Sequence, residues 1–253
     1  MRRFLFWYLP ITAALVATSV FAYGFIAYLR GDTGAPVDFI PRAAVPAEAA
    51  PRAQIAPIIL GDSLARGAGD PSGLGIGGRL DDELRRRNVK ARRTYNVAVN
   101  GARTPQLLEL IDRPNVQQLL AQSNVIIVSI GGNDLWGGND WRTATPPDPD
   151  AVMGDVLGRV ESAIEKIRRA NPKARIFFVG LYNPFVSTPA GKQFSALVNR
   201  WNARLLEHFG NDPDFTVVAT ADIFSHRDRL ALDRFHPGAE GYELIARRIA
   251  DAL

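Results

Sequence analysis

The stretch Val125-Ile126-Ile127-Val128-Ser129-Ile130, followed by Gly131-Gly132-Asn133-Asp134, decides the fold. Its first six residues are the most apolar strand candidate of the chain, and a short apolar run bounded by turn residues is typical of a buried strand. Four further apolar runs predict strands in the same way. They lie at 58–60, 95–99, 176–179 and 215–219.

Longer amphipathic stretches separate these runs, with apolar residues recurring every three or four positions. Short strands that alternate with such stretches are typical of a parallel sheet with crossover helices. We therefore predict a three-layer α/β/α domain with a five-stranded parallel sheet of flavodoxin-like strand order. Helices are predicted at 76–88, 104–121, 150–170, 189–209 and 239–252.

Residues 1–30 differ from the rest, because residues 4–29 contain no charged side chain and follow two arginines. As a helix, that stretch would reach about 39 Å, enough for a bilayer core of about 30 Å. We predict a membrane anchor whose arginines stay in the cytoplasm, with the domain that follows on the other side. The alternative is a cleaved signal segment and secretion, since Val20-Phe21-Ala22 offers small residues for cleavage.

The next segment, 31–54, is rich in alanine and proline, and its prolines recur every five residues. Proline at this spacing prevents a regular helix and favours extended backbone, so we predict a semi-rigid tether. The chain is thus expected to have three parts: a membrane anchor or signal segment (1–30), a linker (31–54) and one folded domain (55–253).

The charge of the chain gives no support for nucleic-acid binding. The net charge of +4 arises largely from residues 1–30, which hold three of the 30 basic side chains and none of the 26 acidic ones. The remainder is nearly neutral and has no basic footprint.

The segment Gly73-Leu74-Gly75-Ile76-Gly77-Gly78 has the spacing of a dinucleotide-binding loop, but it follows a predicted turn where that motif requires a strand. We interpret it as a flexible loop bordering the site. No histidines or cysteines have metal-ligand spacing, so neither a metal nor a cofactor is predicted.

A serine, an acid and a histidine stand in the chain order of a catalytic triad. Ser63 follows the first strand in Gly61-Asp62-Ser63-Leu64, and Asp233-Arg234-Phe235-His236 lies in the last loop before the final helix. Asp233 can fold back to orient the His236 imidazole, which leaves the other ring nitrogen to take the serine proton. Asp222 is the rival acid, but we predict a structural role for it, and His208 and His226 are expected to be surface or capping residues.

Three donors at strand ends could bind a developing oxyanion. They are the backbone N–H of Ser63, the backbone N–H of Gly101 and the side-chain amide of Asn133. Because the carboxyl ends of parallel strands meet at one edge of the sheet, we expect these groups to lie close together. Trp136, Trp141 and the proline-rich residues 145–149 either line the acyl pocket or pack the loop.

Four blocks of this sequence resemble, in order, the motifs of the SGNH subgroup of the GDSL esterase and lipase family, with likeness to bacterial membrane-anchored members. The blocks begin at Gly61, Asn96, Gly131 and Asp233, and the resemblance extends over residues 55–253. It implies Ser63 as nucleophile, His236 as base and Asp233 as orienting acid. It also implies Ser63, Gly101 and Asn133 as oxyanion donors, in agreement with the assignment from the residues.

The sequence therefore predicts a monomeric serine ester hydrolase that acts on a small-molecule, lipid or glycan ester outside the cytoplasm, with no nucleic-acid partner. Two alternatives stay open. The domain could be an acyltransferase or deacetylase acting on envelope glycans or lipids, or a non-catalytic envelope-binding domain.

Overall fold

The computed structural model describes residues 2–29, 54–135, 149–189, 191–225 and 227–253. Its contacts divide into two compact units, Met1–Ala49 and Ala50–Leu253, and the first contains helix α1, Arg2–Leu29. Among the described residues, no helix combines the length with the apolar character that crossing a bilayer requires. The transmembrane helix predicted within residues 1–30 is therefore not supported. The tether predicted at 31–54 lies outside the described residues except for Gln54.

A five-stranded parallel sheet forms the centre of the second unit, and its strand order is β2-β1-β3-β4-β5. This is the flavodoxin-like order, so the predicted three-layer α/β/α fold is confirmed. The strands are β1 Pro57–Gly61, β2 Tyr95–Asn96, β3 Val125–Ser129, β4 Arg175–Val179 and β5 Phe215–Val218.

Helices cover both faces of the sheet. They are α2 Ser63–Arg66, α3 Gly75–Arg86, α4 Thr104–Ile111, α5 Pro114–Gln122, α6 Gly132–Leu135, α7 Pro149–Ala170, α8 Gly191–Phe209 and α9 Ala239–Asp251. Two 3₁₀ turns, Ile223–Ser225 and Arg227–Arg229, precede α9.

Alternate strand residues supply two separate cores, because successive side chains of a strand point to opposite faces. Ile126 and Val128 pack with side chains of α4, α5, α7 and α8, whereas Ile127 packs with side chains of α3 and α9. Both sets are buried, so β3 is apolar on both faces from Val125 to Val128, as the opening stretch of sequence predicts.

The structure corrects the single helix predicted at 104–121, which is two helices. α4 ends at Ile111, and α5 begins at Pro114 after Arg113, whose backbone is extended. A residue before proline is disfavoured in helical conformation, and proline itself can begin a helix but not continue one. The proline therefore divides this stretch into two helices, although its apolar periodicity continues through both.

The strand predicted at 95–99 is also shorter than expected. Val97 N–H and Val99 N–H still donate to carbonyl oxygens of β1, at 3.0 and 2.9 Å. Between them, the Asn96 side chain accepts the Ala98 N–H at 3.0 Å and donates to the Ala65 carbonyl oxygen at 2.9 Å. Because a side chain takes a hydrogen bond of the backbone here, the regular strand ends at Asn96, and the segment is tied to α2.

Candidate active site

The turn after β1 holds Ser63 in one conformation; we call residues 61–65 the nucleophile turn. Gly61 has a φ of +133°, and a Cβ there would lie 1.8 Å from the Ser129 carbonyl oxygen, so no other residue fits. Asp62 caps α2, since its carboxylate accepts the Leu64 N–H at 3.1 Å. Ser63 is therefore placed at the first position of the helix, directly beyond the sheet.

Ser63, His236 and Asp233 form one hydrogen-bonded chain. Nε2 of His236 lies 2.9 Å from Ser63 Oγ, and Nδ1 of the same ring lies 2.6 Å from Asp233 Oδ2. Nδ1 thus donates to the carboxylate, which leaves Nε2 free to accept a proton from the hydroxyl.

The loop that carries the acid and the base, residues 231–237, is here called the acid–base loop. Asp233 Oδ1 accepts the backbone N–H groups of Phe235 and His236 at 2.9 and 3.0 Å, and Arg234, between Asp233 and Phe235, takes a left-handed φ of +56°. Burial alone would raise the pKa of Asp233, but its hydrogen bonds to the His236 ring and to these N–H groups outweigh burial and hold the pKa below its ordinary value. The carboxylate therefore stays ionised beside the imidazole.

Three contacts hold the backbone of the acid–base loop: one hydrogen bond within it, one hydrogen bond from Tyr182 and the close approach of Gly69. Ala231 N–H donates to the His236 carbonyl oxygen at 2.8 Å, and Tyr182 Oη donates to the Phe235 carbonyl oxygen at 2.6 Å. Gly69 lies so close that a Cβ there would be 2.8 Å from His236 Cβ. The imidazole is thus positioned by its backbone as well as by Asp233.

The carboxyl group of Asp62 lies beneath the nucleophile and is buried. Burial raises the pKa of Asp62 from 3.8 to about 7, although hydrogen bonds from the Leu64 and Ala65 N–H groups and from Ser129 act in the opposite direction. The pKa of Asp62 is thus raised, whereas the pKa of Asp233 is lowered.

Of the predicted oxyanion donors, Ser63 and Asn133 line one cavity and Gly101 does not. Asn133 lies in α6 and lines the same cavity as Ser63 and His236, and its amide donates to the Ala102 carbonyl oxygen at 2.9 Å. Gly101, at φ +74°, instead lines a neighbouring groove that begins at Gly61. In the described part of the chain, neither the Ser63 N–H nor the Gly101 N–H donates to another residue.

Residues 59–244 match the GDSL-like Lipase/Acylhydrolase family, and this range includes every residue of the hydrogen-bonded chain. The chain belongs to this family. The resemblance carried by the four sequence blocks is thereby confirmed, and the chain is a GDSL-type hydrolase.

Relatives of this GDSL hydrolase include the uncharacterised protein YpmR of Bacillus subtilis strain 168, which is 32% identical over 203 residues, covering 77% of this chain and 79% of YpmR. The spore germination lipase LipC of Bacillus licheniformis is 24% identical over 206 residues, covering 76% of this chain and 93% of LipC. Among solved structures, the lipase Lip_vut3 from a goat rumen metagenome shares the fold, with a TM-score of 0.69 and 22% identity over 78% of this chain and 97% of that one.

Asp222 and His208, both singled out from the sequence, lie apart from the hydrogen-bonded chain of the GDSL hydrolase. Asp222 forms a two-pronged ion pair with Arg248, with both N–O distances 2.7 Å, and His208 at the end of α8 contacts Glu161. His226, Trp136, Trp141 and residues 145–148 lie outside the described residues, while Pro149 is the first residue of α7.

The prediction of a flexible loop at 73–78 is wrong, because Gly75 to Gly78 form the first turn of α3. The Asp70 carboxylate accepts the Gly75 N–H at 3.0 Å and pairs with Arg79 at 3.1 Å, which fixes the start of that helix. The segment does follow a turn and not a strand, so it lacks the context of a dinucleotide-binding loop.

Sequence reasoning missed three polar supports of the GDSL site. Asp62 was assigned no role, although it stands inside the first block. Asp134 accepts both the N–H and the hydroxyl of Thr104, at 3.0 and 2.7 Å, and so ties α6 to α4. Asn202 clamps Leu181, as described below. The signal for the first two was a carboxylate next to each predicted site residue; Asn202 lies on a helix with no such signal.

Proposed function

We propose that this chain is a serine ester hydrolase that works through an acyl-enzyme on Ser63. The observation that carries the proposal is the hydrogen-bonded chain Ser63–His236–Asp233, with its 2.9 and 2.6 Å contacts, on a chain of the GDSL family. Each group has the partner that its role requires: the hydroxyl faces a ring nitrogen, and the other ring nitrogen faces a carboxylate.

In the first half of the reaction, Ser63 Oγ attacks the acyl carbonyl carbon while its proton passes to His236 Nε2. The carbonyl π electrons move to oxygen and form a tetrahedral oxyanion. When this intermediate collapses, the bond to the leaving alkoxide breaks and His236 returns the proton to it, which releases the alcohol. Asp233 stabilises the imidazolium that exists between the two transfers.

The oxyanion is stabilised by the donors around Ser63. The Ser63 and Gly101 N–H groups have no competing acceptor in the described part of the chain, and Asn133 can offer the amide hydrogen that does not bind Ala102. In a serine protease, loss of one such donor raises the activation free energy by about 2.7–4 kcal/mol.

In the second half, water attacks the acyl-enzyme and gives its proton to His236 Nε2. The tetrahedral intermediate expels Ser63 Oγ, which recovers that proton, and the carboxylic acid leaves. No cofactor enters this balance.

Hydrolysis of p-nitrophenyl esters by the purified chain, compared with its Ser63→Ala variant, tests the proposal. We expect Ser63-dependent turnover and a loss of several powers of ten in the variant with its melting temperature retained. Normal turnover by Ser63→Ala would show that the nucleophile is wrong. Labelling of Ser63 by a fluorophosphonate would separate an active site from a non-catalytic binding domain, and an added sugar or lipid alcohol would show by product partition whether acyl transfer competes with hydrolysis.

We further propose that the hydrolase acts as a monomer outside the cytoplasm, attached through residues 1–30. The support for this placement and attachment is the sequence alone: an uncharged stretch follows two arginines, and those arginines favour the cytoplasmic side. An alkaline phosphatase fused to the C-terminus should be active in cells, and the chain should stay with membranes after a carbonate wash. An inactive fusion would contradict this placement, and release by the wash would indicate secretion or a soluble form. Sedimentation of the purified chain checks the oligomeric state.

A further inference from the structure

We infer that the site accepts short acyl groups, of the size of acetyl or propionyl, and that the segment after β4 sets this limit. The inference rests on the proposed function and names the class of substrate that the same site takes. It is carried by three observations: the size of the cavity at Ser63, the apolar character of its wall and the hydrogen bonds that fix that wall.

The cavity beside Ser63 is small. Its volume is about 40 Å³, and a water-sized group needs about 10–15 Å³, so the space holds about three such groups. An acetyl group has about this size. A long acyl chain would need several times the space, and within the described residues this cavity does not provide it.

Apolar side chains form much of the wall of this cavity. Leu64 follows the nucleophile, Phe235 precedes the base, and Leu181, Tyr182 and Pro184 come from the segment after β4. An apolar wall suits the acyl group, which stays attached to Ser63 through both halves of the reaction. The alcohol, in contrast, must leave past His236 and be replaced by water.

The segment after β4 is fixed by side-chain amides. Asn202 Oδ1 accepts the Leu181 N–H and Asn202 Nδ2 donates to the Leu181 carbonyl oxygen, both at 2.9 Å. The buried Asn183 donates to the Gly191 carbonyl oxygen and to Ser195 Oγ, both at 2.8 Å, and accepts the Phe185 N–H. The wall therefore cannot retreat from a larger acyl group without breaking buried hydrogen bonds.

Tyr182 joins this wall to the acid–base loop. Its ring packs on Phe224 with centroids 4.0 Å apart, and its hydroxyl donates to the Phe235 carbonyl oxygen. A long acyl chain that displaced the wall would thus also displace the residue next to His236. We expect such esters to lose turnover as well as affinity.

A larger groove lies on the other side of the nucleophile turn, and it gives the competing arrangement. It has a volume of about 260 Å³ and is lined by Gly101, Gln106, Leu110 and Arg113, among others. If acyl chains lay there, long esters would be good substrates. Apolar residues such as Val99, Leu107 and Leu110 also line this groove, but we assign it to the alcohol part, because Asn100, Gln106, Glu109 and Arg113 add polar groups that can bind the hydroxyl groups of an alcohol.

The test is the kcat/KM of the full chain for p-nitrophenyl esters from acetyl to octanoyl, with Ser63→Ala as the blank. We expect the acetyl or propionyl ester to have the highest kcat/KM and the octanoyl ester a kcat/KM lower by about 100-fold or more. In a fitted apolar pocket, one additional methylene group can change kcat/KM by about 10- to 200-fold. A value for octanoyl at or above that for acetyl would overturn the inference while leaving the esterase intact. Absence of Ser63-dependent turnover on every ester would instead overturn the proposed function, and the inference with it.

The variant Leu181→Ala sharpens the test, because it enlarges the cavity and keeps the backbone that Asn202 binds. We expect the hexanoyl-to-acetyl ratio of kcat/KM to rise by about tenfold or more. The matched control is Leu206→Ala, the same change at an exposed position on α8, which should leave the ratio unchanged. An unchanged ratio in a Leu181→Ala protein with wild-type melting temperature would contradict the assigned role of this wall. Should that variant not fold, Leu64→Ala enlarges the same cavity and is expected to shift the ratio in the same direction.

Discussion

The nucleophile turn and the acid–base loop supply the two halves of the same hydrogen-bonded chain, yet they are built in opposite ways. In the nucleophile turn, Gly61, Asp62 and Ala65 are buried, and the turn is enclosed by β3. In the acid–base loop, Asp233 and Arg234 are exposed, and Leu232 is 103% exposed. The position of Ser63 is thus set mainly by packing, whereas the position of His236 depends mainly on hydrogen bonds that Asp233 and Tyr182 make to the backbone of an exposed loop.

This difference separates stability from activity. A change at a buried residue of the nucleophile turn, Gly61, Asp62 or Ala65, must disturb the sheet edge, so we expect it to affect folding first. A change in the acid–base loop leaves the core intact, so we expect it to affect turnover first. The two aspartates show the same division, because burial raises the pKa of Asp62 while hydrogen bonds lower the pKa of Asp233.

The largest effect is expected from Asp233→Asn, in the exposed half. An amide at this position can donate to Nδ1 of His236, which places the ring proton on Nε2 and prevents that atom from accepting the Ser63 proton. We predict a loss of about 10²- to 10⁴-fold in kcat. Unfolding by denaturant should change by less than about 1 kcal/mol, because the side chain is half-exposed and the amide oxygen can still accept backbone N–H groups.

The control for this variant is Asp222→Asn, which removes an exposed carboxylate that pairs with Arg248 and not with a histidine. It should keep wild-type kcat. Full activity in Asp233→Asn would contradict the role of the acid, and a large loss of stability would contradict the comparison between the two regions.

Gly61→Ala is the corresponding change in the buried half. The new Cβ would meet the Ser129 carbonyl oxygen at 1.8 Å, on a backbone with a φ of +133°. We predict a loss of about 4 kcal/mol or more in the free energy of unfolding, measured in urea. Gly73→Ala is the matched control: its φ is also positive, at +69°, but no atom lies within 4 Å of the added Cβ, so the cost should be about 1–2 kcal/mol. Equal losses in the two variants would show that the nucleophile turn can relax.

The buried carboxyl group of Asp62 makes stability depend on pH. Its folded pKa, about 7, lies above the ordinary 3.8, so the folded state holds a proton that the unfolded state has lost. Its contribution is full below the ordinary pKa and is lost as the pH rises toward 7. We predict that the stability of the wild type relative to Asp62→Asn falls by about 3 kcal/mol between about pH 5 and about pH 8.

Urea unfolding of both proteins at the two pH values measures this difference, and groups common to both cancel. Asp222→Asn again serves as the control: hydrogen bonds from Arg248 lower the pKa of Asp222, so it does not titrate in this range and the difference from wild type should stay constant. A constant difference for Asp62→Asn would mean that the carboxyl group is ionised in the folded protein throughout.

The sequence was sufficient to predict the five strands and their order, because apolar runs and the turn residues that bound them are local signals. Ser63, Asp233 and His236 could be selected on residue type and chain order alone. The lengths of elements were less predictable. The break at Pro114 and the early end of β2 at Asn96 depend on a prolyl ring and on a side-chain amide, and periodicity records neither.

The supports of the site were the least predictable part. Asn202 binds the backbone of Leu181, 21 positions away, and Asn183, within the segment after β4, binds Gly191 and Ser195 of α8. Nothing in the sequence indicates such pairings. Asp62 is a different case, because the sequence shows that it stands next to the predicted nucleophile, Ser63. Its raised pKa depends on its burial, which only the packing of β1, α2 and β3 determines.

The smallest effect is expected from Leu232→Ala, next to the orienting acid. The side chain is fully exposed, so its removal creates no cavity and should change the free energy of unfolding by less than about 0.5 kcal/mol. The same substitution at Leu60, buried in β1 at the entrance to the nucleophile turn, should cost about 2–5 kcal/mol. Turnover of soluble esters by Leu232→Ala should equal that of the wild type, since the loop keeps its conformation through Asp233, Tyr182 and the Ala231 N–H. A loss of stability comparable to that of Leu60→Ala would mean that the acid–base loop also depends on apolar packing, and the contrast between the two halves of the site would then fail.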